Sequence, residues 1–277
     1  MDVLVARDSV FILGKKTYVM GILNITDDSF SDGGLYNSPE TALCRIEEMR
    51  AQGADIIDIG ANSTRPGAEI LSENEELERL RAILPQIAKA AKPFSIDTFY
   101  PACARFALEN GACMINDVSG NVSDEMISLA KEFGAALVIT HNPCSAGEEA
   151  EYKDGVIPTV RDFFLESLKK CFAAGLKQEN ICLDAGIGFG KMQAQNLEIL
   201  KNMQWLKFSG IALLAGASRK RVVGIASGEE NAARRDAGTV AAHTAAIEGG
   251  ADIIRVHDVF SGVQGARVAD ALYRGDN

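Results

Sequence analysis

The chain is predicted to fold as an α/β protein, a (β/α)8 barrel preceded by a short N-terminal β-hairpin, with its polar residues gathered at the C-terminal ends of the barrel strands. Three observations predict this. Eight short apolar or β-rich segments recur, most of them followed by a helical pattern. Several are entered through a related turn, QGADIID at Gly53, NGACMIND at Gly111, FGAALVIT at Gly134 and GGADIIRV at Gly250, where glycine supplies a left-handed helix C-cap. Each of the eight also carries polar residues toward its C-terminal end. An open doubly wound sheet would concentrate its site at one crevice, whereas a ring of polar groups drawn from all strands is what a barrel mouth collects.

Taken in order, VLVARDSV and the FILG run read as the hairpin. The candidate barrel strands are Tyr18 to Thr26, Ala54 to Gly60, Pro93 to Thr98, Cys113 to Ser119, Ala136 to His141, Ile181 to Ile187, Ile211 to Ser218 and Ile253 to Val259. Helices are expected over Pro39 to Gln52, Glu73 to Lys92, Pro101 to Asn110, Ser123 to Phe133, Pro158 to Gly175, Gln193 to Met203 and Glu229 to Glu248. The acidic stretch from Cys144 to Val156 reads as a solvated loop after the fifth strand. No Pro, Ser or Gly-rich linker divides the 277 residues, so one domain over 1–277 is the expectation.

Composition narrows the functional classes. A net charge of -10 argues against nucleic acid or an anionic membrane surface as partner. No apolar run reaches membrane-spanning length and the N-terminus has no signal-peptide pattern, so a cytoplasmic enzyme is expected. The six cysteines include no C-x-x-C pair and read as reduced, mostly buried thiols. With three histidines in the chain, a His-rich cage is nearly excluded, and any metal should be oxygen-bound.

The polar ends, strand by strand, are Asn24, Asp58, Asp97, Asn116, His141, Asp184, Ser218 with Lys220, and Arg255 with His257. Asp97, Asn116 and Asp184 interrupt apolar strands, where an unpaired polar group costs about 1 to 3 kcal/mol. Each is satisfied either by neighbouring strands or by a ligand. Together, two carboxylates and an amide make a receptor for a flat, nitrogen-rich heterocycle, since carboxylates accept from amino and ring N–H groups. Arg255 and His257 lie two apart and share a strand face. If Val256 faces the helices they form an anion pocket, a recurrent arrangement after the last barrel strands. SRKR at Ser218 to Arg221 is either part of the site or, for Arg219 and Arg221, a solvated charge run. NITDDSFSDGG after the first strand is a surface turn or a loop folding over the mouth, with Gly33 and Gly34 as hinge and Phe30 as apolar contact. Arg65, in ANSTRPGAE, pairs with a surface carboxylate or holds an anion. His141 reads equally as a core or functional residue, and His243 as structural.

In order, MGILNITDDSFSDGG, DIGANSTRPGA, SIDT, INDVSG, LDAGIGFGK, GASRK and RVHDV resemble the motifs of the dihydropteroate synthases, from about Met20 to Val259. The resemblance implies a TIM-barrel transferase that joins a dihydropterin methyl diphosphate to 4-aminobenzoate in folate synthesis. It further implies that Asp97, Asn116, Asp184 and Lys220 hold the pterin, with Asp97, Asp184, Lys220 and Arg255 as the catalytic set. Thr64, Arg255 and His257 would hold the diphosphate. Asn24 would help place a magnesium ion, and Asp28, Phe30, Arg65 and Pro66 would close the 4-aminobenzoate pocket. A homodimer is also implied. The chain departs from the family pattern at Asp27, at Ala61 and Asn62, at Ala185, in HNPCSAG after the fifth strand, and at Arg221, where a serine is usual. Two other readings keep the ring-binding residues: a barrel moving a methyl group from a folate to a corrinoid protein, which needs no diphosphate pocket or SRK motif, and a non-catalytic pterin-binding paralogue.

Overall fold

Alternation along each barrel strand divides its side chains between two cores. In the computed structural model, which describes residues 1–26, 38–62, 70–144 and 148–275, the strands are β3 (Tyr18–Asn24), β4 (Ile56–Gly60), β5 (Phe94–Asp97), β6 (Met114–Asp117), β7 (Ala136–Thr140), β8 (Ile181–Asp184), β9 (Ala212–Ala215) and β10 (Ile253–Val256). All pair in parallel and close as β10-β3-β4-β5-β6-β7-β8-β9. Val19, Leu23, Ile57, Ile59, Phe94, Ile96, Ile115, Leu137, Leu183, Leu213 and Val256 point outward and are buried against helices. Each such side chain contributes roughly 1.5 to 3 kcal/mol. The alternate positions fill the inside.

The interior is graded along its axis. Tyr18, Met20, Ile56, Met114, Val138, Cys182, Leu214 and Ile253 form an apolar layer at the N-terminal end, continuous with Leu4, Ala6, Phe11 and Leu13. The first three belong to the antiparallel hairpin of β1 (Val3–Ala6) and β2 (Ser9–Ile12), and Leu13 follows it directly, so that the hairpin closes the barrel floor. Asn180 Nδ2 donates to Val5 O at 2.8 Å and Arg7 N to Gly134 O at 2.7 Å, fixing the hairpin there. One layer up, the inward positions become Asp58, Ser95, Asn116, Asp184 and Arg255. The register sets Asn24, Gly60, Asp97 and Asn116 side by side at the mouth. Four strands therefore supply one level of the site.

The helices are α1 (Pro39–Gln52), α2 (Glu73–Ala91), α3 (Pro101–Glu109), α4 (Asp124–Phe133), α5 (Val156–Ala173), α6 (Gln193–Lys201), α7 (Arg221–Ser227), α8 (Asp236–Glu248) and α9 (Val259–Tyr273). Ser38, Ser72 and Ser123 cap α1, α2 and α4 by accepting main-chain N–H groups. The four turn glycines all take positive φ, 101° at Gly53, 99° at Gly111, 62° at Gly134 and 94° at Gly250. Three helical stretches depart from the sequence pattern. The segment after Lys220 is a helix rather than a charge run, and a further helix follows β10, with Asp258 accepting from Ser261 N. The stretch expected to be helical from Glu229 begins at Asp236, after a 3-10 turn over Ala232–Arg234. Arg235 explains the delay, because its guanidinium bonds to the carbonyls of Glu229, Glu230 and Arg219 and holds that segment as a loop.

Candidate active site

The inward polar layer is one connected network. Asp58, wholly buried on β4, accepts Arg255 Nε at 2.6 Å and Asn116 Nδ2 at 3.1 Å, and also Ser95 Oγ. Arg255 Nη2 donates to Asp97 Oδ2 at 2.6 Å. Arg255 thus bridges two carboxylates from neighbouring strands, and its Nη1 is used in neither bond. Burial by itself lowers the basicity of this guanidinium, but Asp58 and Asp97 outweigh that, and it stays charged. Asp97 faces the mouth with its side chain 16% exposed. Burial, with Asp58 nearby, pushes it up to about 7 against the pull of Arg255.

Across the mouth, Asp184 Oδ1 accepts Gly186 N at 2.8 Å. Burial raises its pKa, opposed first by Lys220. Burial pushes Lys220 down to about 8, with Asp184 and Asp97 holding its proton on and Arg255 working against them. Lys220 reaches the site over the loop after β8: its Nζ donates to Ile187 O and lies 4.5 Å from the centre of the Phe189 ring. Glycines keep the space open. A Cβ on Gly216 would lie 3.8 Å from Asp184 Oδ2 and 4.0 Å from Arg255 Cβ, and one on Gly60 would lie 3.5 Å from both Asn24 Oδ1 and Asp97 Cβ.

Val256 is buried among the outer core, so Arg255 and His257 do share the inward face. Ser218 Oγ lies 2.9 Å from His257 Nδ1 and accepts His257 N at 3.1 Å, which sets the imidazole's orientation. Arg219 is structural: Nε and Nη2 bond Asp236 at 2.7 and 2.8 Å. Arg221 is exposed at the start of α7. His243 is buried and its Nε2 accepts Ala217 N at 3.1 Å, in keeping with a structural reading. His141 is buried against Phe163 and Tyr152, and burial pushes it down to about 3, so it stands neutral in the wall. Four of the six cysteines, Cys103, Cys113, Cys171 and Cys182, are buried, and none forms a disulfide.

Of the expected site residues, the structure brings together Asn24, Asp97, Asn116, Asp184, Lys220, Arg255 and His257. Asp28, Phe30, Thr64, Arg65 and Pro66 lie outside the described residues, as do Asp27, Gly33 and Gly34. Two participants carried no assigned role in the sequence. Asp58 stood in the polar ring, but its part as the anchor of Arg255 required the register. Lys191 stood in the sequence only as the end of the LDAGIGFGK motif, with no role, because its partners are main-chain carbonyls.

For magnesium, the described residues hold no cluster of three or more His, Cys, Asp or Glu that would cage an ion. Asn24 offers a hard amide oxygen beside Asp97. That fits an ion carried mainly by substrate phosphates and water, the usual magnesium arrangement.

Comparison with known proteins agrees with this geometry. Residues 20–257 match the family described as pterin binding enzyme. The chain is 44% identical to the dihydropteroate synthase of a Synechocystis strain over 271 residues, covering 96% of this chain and 93% of that one. Among solved structures, the Clostridium difficile dihydropteroate synthase with pteroic acid superposes with a TM-score of 0.87 at 40% identity, covering 95% of this chain and 99% of the other. The Xanthomonas albilineans enzyme with 4-aminobenzoic acid gives a TM-score of 0.87 at 37% identity, with 98% of each chain covered.

Proposed function

The chain belongs to the pterin-binding enzymes, and from that premise we propose that it is a transferase of the dihydropteroate synthase type, condensing a dihydropterin methyl diphosphate with 4-aminobenzoate to give dihydropteroate and diphosphate. The observation that carries this reading is the convergence of Asp97, Asn116, Asp184 and Lys220 around one opening whose inner wall is Arg255.

An aminopyrimidinone ring presents amino and ring N–H donors along one edge. Asp184 accepts that pair, and Lys220 donates to the ring acceptors. Asn116, held by Asp58, contributes a fixed amide, and Asp97 accepts a further ring N–H. In the reaction the C–O bond from the pterin methylene to diphosphate breaks, and the amine nitrogen of 4-aminobenzoate bonds to that carbon and loses a proton. The electron-rich ring carries the positive charge that develops, and the carboxylates of Asp97 and Asp184 stabilise it. No protein nucleophile is needed, because the arylamine is one. When Asp97 turns to the ring, Arg255 Nη2 is released toward the diphosphate while Asp58 still holds Nε. His257, oriented by Ser218, and Thr64 would complete the diphosphate side. Asp28, Phe30, Arg65 and Pro66 would belong to the 4-aminobenzoate pocket. Asn24 would help hold magnesium, which when bound supplies neutralising charge to the leaving group.

Pairing of two copies is part of the reading. A groove of about 650 Å³ between α6, α7 and α8, lined by Leu197, Leu200, Val222, Ala241 and Ala245, offers an apolar face for a second copy. No helix among the described residues is long and apolar enough to cross a membrane, and the site belongs to small molecules.

The test is product analysis. With magnesium and both substrates, one dihydropteroate should form for each diphosphate released, and EDTA should suppress both. A chain that binds pterin but forms no dihydropteroate would be a non-catalytic relative.

A further inference from the structure

Lysine buried without a carboxylate partner is costly, and a fold that keeps one is using its charge or its donors. Lys191 is 6% exposed. Its Nζ donates to three main-chain carbonyls, Gly186 O and Phe189 O at 2.8 Å each and His141 O at 3.1 Å. The first two belong to the loop between β8 and α6, the third to the end of β7, so one ammonium ties two strands' loops together. Glycine makes room for it: at Gly186, with φ of 67°, a Cβ would lie 1.9 Å from His141 O and 3.2 Å from Lys191 Nζ.

The tied loop carries much of one wall of the opening. Gly186 N holds Asp184, Ile187 O takes Lys220 Nζ, and the Phe189 ring lies under the same ammonium. Asn196 fastens the far end, its Oδ1 accepting Gly188 N at 2.6 Å and its Nδ2 donating to Lys191 O at 2.8 Å. The neighbouring segment leans on it too, with Ala150 N bonded to Gly190 O at 3.0 Å. Among the described residues, Lys191 bonds both this loop and the end of β7, and its bonds go to main-chain carbonyls rather than to side chains assigned to substrate.

We infer that Lys191 is a positioning residue for the pterin pocket, its ammonium pinning the Gly186–Gly190 loop to the end of β7 so that Ile187 and Phe189 hold Lys220 beside Asp184. The charged and titratable groups facing it are Asp184 on β8, Lys220 ahead of α7, and Cys144 and His141 at the end of β7. Burial pushes Lys191 down to about 7 while Asp184 holds its proton on, and the charged form in turn favours ionised Asp184, so its loss weakens the receptor on both sides of the ring. The inference rests on the pterin-binding reading above.

The test compares the wild-type chain with Lys191→Met, which keeps the length and removes the charge, and Lys191→Gln, which keeps two donors. Calorimetry with hydroxymethyl-dihydropterin, the alcohol lacking diphosphate, should show Lys191→Met weakened by about tenfold or more and Lys191→Gln by less. In turnover, KM for the pterin diphosphate should rise by a similar factor while kcat and KM for 4-aminobenzoate change by less than about threefold. Pterin affinity within about twofold of wild type in both variants, or equal losses in both KM values and in kcat, overturns the inference. If Lys191→Met fails to fold, Lys191→Gln decides: a loss of pterin affinity beyond about twofold supports the inference, and one within about twofold overturns it. Absence of pterin binding by the wild-type chain overturns the underlying reading instead.

Discussion

Replacing Asp58 separates charge from shape at the centre of the network. Asp58→Ala leaves Arg255, with its side chain 19% exposed, holding only Asp97, and strips Asn116 Nδ2 and Ser95 Oγ of their acceptor. Breaking a buried ion pair costs about 3 to 5 kcal/mol. The surviving Asp97 contact puts the ionic part at the lower end, and two lost hydrogen bonds add about 1 kcal/mol together, for a total of about 4 kcal/mol. Asp58→Asn keeps the shape: its oxygen still accepts Arg255 and Asn116, while its amide donates to Ser95 Oγ. Only the charge assistance is lost, about 1 to 2 kcal/mol. Urea unfolding followed by fluorescence and circular dichroism reads both values from the shift in midpoint. Asp58 also raises the pKa of Asp97, so in Asp58→Asn the acid limb of the activity profile should move to lower pH. An Asp58→Ala chain within about 0.5 kcal/mol of wild type, or an Asn variant as damaged as the Ala variant, would refute the assignment of Asp58 as the charged anchor of Arg255.

Lys220→Ala should abolish measurable pterin binding in calorimetry, and unchanged affinity would remove Lys220 from the site. The pH profile of kcat/KM for the pterin substrate should be bell-shaped. It falls as pH drops below about 7, where Asp97 takes up a proton and loses its acceptor role, and falls again above about 8, where Lys220 loses its charge. Asp97→Asn should reshape the acid limb, and a profile unaltered by that change would contradict the assignment. Arg221→Ser, made at an exposed position, should change KM for 4-aminobenzoate by about two- to fivefold, the range of an exposed ion pair, and leave pterin affinity alone.

What the sequence made legible followed from periodicity. Every barrel strand and the hairpin appear where alternation and the turn glycines place them, and the polar strand ends meet at one mouth because parallel pairing keeps equivalent positions level. Asp97, Asn116 and Asp184 stood out because a polar residue in an apolar strand needs a partner. What escaped was tertiary. Asp58 looks like its neighbours in sequence, and only the register reveals that it, rather than Asp97 alone, anchors Arg255. Lys191 closes the LDAGIGFGK motif, but its role was silent because carbonyl acceptors leave no trace in residue type. α7 was hidden in a basic run of which Arg219 turns away to Asp236 and Lys220 turns inward. The start of α8 was displaced by Arg235 holding three carbonyls, an arrangement no local propensity encodes.

The most direct test of the account is a crystal structure of the chain with hydroxymethyl-dihydropterin bound. The account predicts the ring in the barrel mouth, its amino and N–H edge on Asp184, Asn116 and Asp97 within hydrogen-bonding distance, and Arg255 still bonded to Asp58. A ring bound elsewhere, or one in the mouth that leaves both Asp97 and Asp184 without a ligand contact, would contradict it.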